Sequence, residues 1–96
     1  MLRRISTQFA EGAPEARAKI RSAIERKDAR DLAFLAHRLR GQSSSFDAAP
    51  LVAAATSLEE AARRDNWTAA AATLLSVESE LDRLLRVLAS NDASRA

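Results

Sequence analysis

Apolar residues recur at helical spacing over nearly the whole chain, and that periodicity leaves few folds open. After Trp67 the series Ala70, Leu74, Val77, Leu81, Leu84 and Leu88 alternates steps of three and four, which draws one stripe along a single long helix. Leu51, Ala55, Leu58 and Ala62 repeat the pattern one segment earlier, and Ala16, Ile20, Ala23 and Ile24 repeat it nearer the N-terminus. The sequence has only two glycines and two prolines, too few turn formers for a β fold. Leu2, Ile5 and Phe9 predict a short first helix that Gly12 and Pro14 interrupt, with Pro14 in the first turn of the next one. Asp28 is suited to cap the following helix, with Asp31 in its first turn, and that helix runs through His37 to about Ser45. Asp47 is read as the next cap, Pro50 fits the first turn after it, and Asp65 or Asn66 can cap the last helix. Short connections make successive helices antiparallel neighbours. The expected fold is all-α: an antiparallel four-helix bundle with a short extra N-terminal helix. It forms one domain over residues 1–90, with a frayed tail over 91–96.

Composition narrows the function. With 96 residues the chain supports one core and no deep substrate cavity. There is no cysteine and one histidine, so a disulfide scaffold, a thiol nucleophile and a structural zinc site are not expected. No metal site and no cofactor of its own are expected. The net charge is +2, and one Trp and three Phe are too few to stack bases along a basic groove, so nucleic acid is not an expected partner. No run of about 18 apolar residues could span a membrane, and "MLRRISTQF" lacks the apolar segment of a signal peptide. The expected location is the cytoplasm, and the polar outer faces favour a monomer.

The one histidine stands in "LAFLAHRLRGQSSSF", Leu32 to Phe46, four residues before Gly41. At about 100° per residue, Leu35, Leu39 and Phe46 lie within about 20° of the direction opposite His37, and Leu32 within about 40°. The imidazole is therefore expected to face away from the core. Ala33, Arg40, Gly41 and Ser44 share its face, Arg30 lies further back on it, and Phe34 lies about 60° to one side. A glycine inside a helix costs roughly 1 kcal/mol relative to alanine. On an exposed face, that cost suits a place where something approaches the ring. An exposed imidazole is a nucleophile near neutral pH, and Arg30, Arg38 and Arg40 could pair with an anionic group on it. These features together suit a histidine that carries a phosphoryl group.

"AHRLRGQSSSFDAAPL" resembles the signature of histidine-containing phosphotransfer (HPt) domains. That signature runs His, any residue, Leu, Lys, Gly, Ser, Ser, two variable residues, an apolar residue, Gly, Ala, two variable residues, Leu. His37, Leu39, Gly41, Ser43, Phe46, Ala48 and Leu51 match it. "SLEEAARRDNW" is similar to the family's next helix and its turn, and the helix order agrees over nearly the whole chain. Three positions depart: Arg40 stands for lysine, Gln42 for a small residue, and Asp47 for the glycine of the turn.

The resemblance implies a phosphorelay intermediate. His37 would accept a phosphoryl group from a receiver-domain aspartate and pass it to the aspartate of another receiver. Mg²⁺ would belong to the receiver. Arg40 would offset phosphoryl charge and Gly41 would permit close approach. Ala33, Phe34, Ser44 and Ser45 would form the docking patch, with Arg30 and Arg38 at its rim. The partners implied are response-regulator receiver domains and a sensor histidine kinase. No Walker-type glycine loop is present, so no ATP-dependent kinase activity is expected. The alternative, motivated by the three departures, is a helical-bundle adaptor that binds a signalling partner without chemistry. A hydrolase is disfavoured, because the hydroxyls of "QSSS" lie on the histidine's own helix with no base–orienter pair.

Overall fold

The computed structural model describes residues 2–95, and the side-chain surroundings of residues 7–90. Four helices follow one another: α1 (Leu2–Glu25), α2 (Ala29–Ser44), α3 (Ala49–Arg63) and α4 (Trp67–Arg95). They pack in the order α1–α2–α3–α4, with α1 also against α4, into a body of 45 × 20 × 18 Å.

The expected extra N-terminal helix is not present. Residues 2–25 form one helix that passes through Pro14. Proline inside a helix removes one hydrogen bond and crowds the carbonyl four residues back. Here the residues on both sides of it are held by the same packing. Ala13 and Ile20 are buried in the common core, and Phe9 packs on Phe46 with ring centroids 5.0 Å apart. Pro14 itself is on the exposed side, so its ring occupies no core volume. Leu2 and Ile5, and the fraying expected after Ser90, involve side chains outside the described set; the α4 backbone is helical through Arg95.

The turns economise on residues. In the first, the Lys27 N–H donates to the Ile24 carbonyl (3.0 Å) and the Asp28 N–H to Ala23 (2.9 Å). In the third, the Asp65 N–H donates to Ala62 (3.1 Å) and the Asn66 N–H to Ala61 (2.9 Å). Both are Schellman closures, which need a left-handed residue after the helix. Lys27 (φ 54°) and Asp65 (φ 52°) supply it without glycine. The next residue in each turn then caps the following helix. Asp28 accepts from the Asp31 N–H at 3.1 Å, and Asn66 from the Ala69 N–H at 3.0 Å. Of the two expected caps of α4, Asn66 is therefore the one used.

The second turn corrects the reading of Asp47. It is not a cap: Ala48 occupies that position, and no side chain bonds to the end of α3. Asp47 instead takes φ 54°, the left-handed conformation. This is the conformation that a glycine at this place would adopt without strain, and aspartate is among the few other residues that tolerate it.

The core alternates leucine with alanine. Leu32, Ala36 and Leu39 of α2 meet Leu51, Ala55 and Leu58 of α3, with Val77 and Leu81 of α4 closing the far side. Small residues let α2 and α3 approach closely. Ser43 is fully buried there, its hydroxyl satisfied by the Leu39 carbonyl at 2.7 Å. The α1–α4 seam carries ion pairs instead: Arg17 with Asp82 at 2.5 Å, and Arg21 Nε donating to Glu78 at 2.7 Å. Among the described residues, no helix is long and apolar enough to cross a membrane.

Candidate functional site

The buried residues of α2 are Leu32, Ala36, Leu39 and Ser43. Their mean direction lies about 130° from His37 rather than opposite it. Leu35 and Phe46, expected at the centre of the core stripe, are only half-buried and pack at its edge. The helix is turned about 50° from the sequence expectation because Ala36 and Ser43, neither of them strongly apolar, are what α3 covers. That rotation decides the site. His37 stays exposed, with 60 % of its side chain accessible, but it leans toward α3.

On α3 it meets Glu59, whose side chain is only 7 % exposed. Nδ1 of His37 lies 3.3 Å from Glu59 Oε2 and 2.9 Å from Arg40 Nη2. Arg40 Nη1 stands 3.8 Å from Glu59 Oε1. Arg63, one turn along α3, donates from Nη2 to Glu59 Oε2 at 2.6 Å. A buried carboxylate needs such partners. The Arg63 guanidinium bonded to it holds the Glu59 carboxyl below its usual range, burial opposes this, and the charges of Arg40, Arg63 and His37 reinforce it.

A carboxyl whose folded value is lowered contributes stability that is fully present above the ordinary range, roughly 4.3 for glutamate, and lost as pH falls through the folded value. The stability gap between the wild type and Glu59→Gln should therefore narrow as pH drops from about 6 to about 3. Urea unfolding across that range measures it, and a gap that stays constant or widens would contradict this electrostatic account.

Sequence reasoning missed Glu59. On the α3 wheel it sits about 70° from the stripe of Leu51, Ala55, Leu58 and Ala62, whereas Glu60 points almost directly outward. An acid at the edge of a stripe, followed four residues later by an arginine, was the available signal. Which edge faces α2 is decided only when the helices pack.

The other predicted residues separate into two groups. Ala33 is half-buried beside the ring's helix face, and Phe34 is 62 % exposed. Arg30, Gly41, Ser44 and Ser45 are exposed, with the Ser44 hydroxyl donating to the Gly41 carbonyl at 2.8 Å. Arg38, in contrast, lines a groove on the α1 side with Gln42, Glu15 and Lys19. Of the three arginines expected near His37, only Arg40 touches the ring.

A Cβ added at Gly41 would meet no atom within 4 Å. Packing inside the protein does not require glycine there. Gly41→Ala should raise stability by about 0.5–1 kcal/mol while slowing any reaction that needs a partner close to His37. The first is read by urea unfolding and the second by transfer kinetics. Equal transfer rates would remove the close-approach role. Among the described residues, no group of three or more His, Asp or Glu side chains could hold a metal ion.

A short bundle with one exposed, carboxylate-tethered histidine on its surface defines a histidine-bearing helical module. The family model of the Hpt domain matches residues 4–89, and the chain belongs to that family. Hpt domains are phosphotransfer modules of two-component phosphorelays that lack a kinase domain. No curated protein and no solved structure matches the chain.

Proposed function

We propose that His37 is the phosphoacceptor of this Hpt domain and that both its donor and its acceptor are receiver-domain aspartates. The observation that carries this reading is the tether at Nδ1: Glu59 and Arg40 both reach that nitrogen, so the ring is fixed by one side with Nε2 on the other. A nucleophile held in a set orientation loses less entropy on reaching its reactive geometry.

The transfer is a displacement at phosphorus. The Nε2 lone pair forms the N–P bond, the P–O bond to the aspartate breaks, and the electron pair leaves with the carboxylate. The ring gains positive charge, which Glu59 faces across 3.3 Å. Arg40, bonded to the Nδ1 side of the ring on a long, partly exposed side chain, would swing toward the phosphoryl group and offset its charge. Glu59 acts as a positioning residue and Arg63 holds it in place. Phe34, Ala33, Ser44 and Ser45 provide a docking patch of one aromatic and several small side chains, with Arg30 at its rim. Arg38 serves the α1 side of that rim. Mg²⁺ is expected on the receiver.

The test is incubation with a panel of phosphorylated receiver domains, followed by acid and base treatment of the product. Label that is acid-labile and base-stable is expected. A folded protein that binds a receiver and takes no label from any of them would establish the adaptor reading instead.

A further inference from the structure

Two groups of opposite charge converge on one ring nitrogen, and they favour opposite tautomers. Arg40 Nη2 lies 2.9 Å from His37 Nδ1. A guanidinium only donates, so this contact needs Nδ1 to accept. The neutral ring has a single N–H, which must then be on Nε2, where it ties up the lone pair that would attack phosphorus. Glu59 only accepts, and its Oε2 stands 3.3 Å from the same nitrogen; a hydrogen bond to it would need N–H at Nδ1 and would leave the Nε2 lone pair free. One proton cannot satisfy both, and the shorter contact is with arginine.

We infer that Arg40 is a gate on the nucleophile: in the free protein it holds His37 as the Nε2–H tautomer, and an anionic phosphoryl group that draws the guanidinium away lets Glu59 take the Nδ1–H tautomer and uncovers Nε2. The inference rests on His37 being the phosphoacceptor and concerns how that site is regulated. The proton balance is simple. Nε2 releases its proton to water and Nδ1 takes one up, through a ring face that is open to solvent.

The surroundings fit both positions of the gate. In the closed one, the planar fork of Arg40 spans the pair, with Nη2 on His37 and Nη1 3.8 Å from Glu59 Oε1. In the open one, Glu59 needs no rearrangement, because Arg63 keeps it charged and in place at 2.6 Å. Arg40 is 37 % exposed on a long side chain and can swing outward. The consequence is selectivity. Nucleophilicity appears when a phosphoryl dianion is present and stays suppressed toward uncharged electrophiles.

The experiment uses the full chain and Arg40→Met, which keeps most of the apolar stem and removes the donors. Because the chain has a single histidine, its ring signals are unambiguous. Long-range ¹H–¹⁵N spectra are recorded at increasing pH until the ring nitrogen shifts no longer change, so that a single tautomer pair is read. The wild type should show mainly Nε2–H and Arg40→Met mainly Nδ1–H. Carbethoxylation by diethyl pyrocarbonate, an uncharged reagent whose C–O bond breaks as the N–C bond forms, should be faster in Arg40→Met by about fivefold or more. Phosphoryl transfer from a phosphorylated receiver should be slower in the same variant. The same tautomer in both proteins, or slower reaction with both reagents, would overturn the gate. The spectra and the carbethoxylation involve no receiver, so a failure of phosphotransfer itself would be seen separately.

Discussion

His37→Gln should abolish phosphoryl transfer while leaving the bundle intact. Removal of a covalent nucleophile costs roughly 10³-fold or more, and nothing nearby can substitute for it. Ser44 and Ser45 are exposed, but the Ser44 hydroxyl is directed to the Gly41 carbonyl and no base adjoins it among the described contacts. The stability cost should be small, within about 0.5 kcal/mol, because the ring is 60 % exposed and Glu59 retains Arg63. Transfer kinetics beside a urea titration separate the two effects. Residual transfer at a tenth of the wild-type rate would place the acceptor elsewhere.

Leu32→Ala should destabilise the protein by about 2–5 kcal/mol, a large share of the stability of a domain this size. Leu32 has no accessible surface and sits where α2 meets the common core, so the lost methyl groups leave a cavity that rigid neighbours cannot fill. Leu35→Ala is the informative comparison. Leu35 lies nearer the sequence-derived core direction, yet it is only half-buried at the α1 edge, and its truncation should cost clearly less. Midpoint shifts in urea at constant m measure both. A larger loss at Leu35 than at Leu32 would mean that α2 is not rotated as described, and His37 would then no longer lean toward Glu59.

That rotation marks where sequence reading stops. The stripes of α3 and α4 were legible because leucine and alanine repeat there in steps of three and four, even though Leu75 and Val87 of α4 are left exposed. Leu51, Ala55, Leu58 and Ala62 are all buried, and so are Ala70, Val77 and Leu81. On α2 the apolar residues are spread around the helix. Phe34 is exposed while Ser43 is buried, so hydropathy alone points the wheel about 50° away from the packed direction. Pro14 misled for a related reason: its local cost was read correctly, but tertiary packing along α1 outweighs it. Asp47 offers two uses in a turn, as a cap and as a left-handed residue, and the chain uses the second.

The functional reading shows the same division. His37 and Gly41 stood out from residue type and spacing together, because a glycine on the exposed face of a helix, one turn from the single histidine, carries a cost that a close approach would justify. Glu59 did not, since a glutamate in "SLEEAARRD" looks like any solvated acid until α2 closes over it. The proposed site joins His37 from one helix to Glu59 from the next, with Arg40 and Arg63 in contact with the pair, and only the first of these helices carries the motif.

On the reading proposed here, Nε2 of His37 carries the phosphoryl group. The most direct measurement is ³¹P–¹H correlation on the protein after reaction with a phosphorylated receiver. A phosphoramidate signal coupled to both ring C–H protons of His37 is the expected result, as Nε2 lies beside both carbons. A receiver-bound, folded protein with no phosphoramidate signal, or with phosphorus on any other residue, would contradict it.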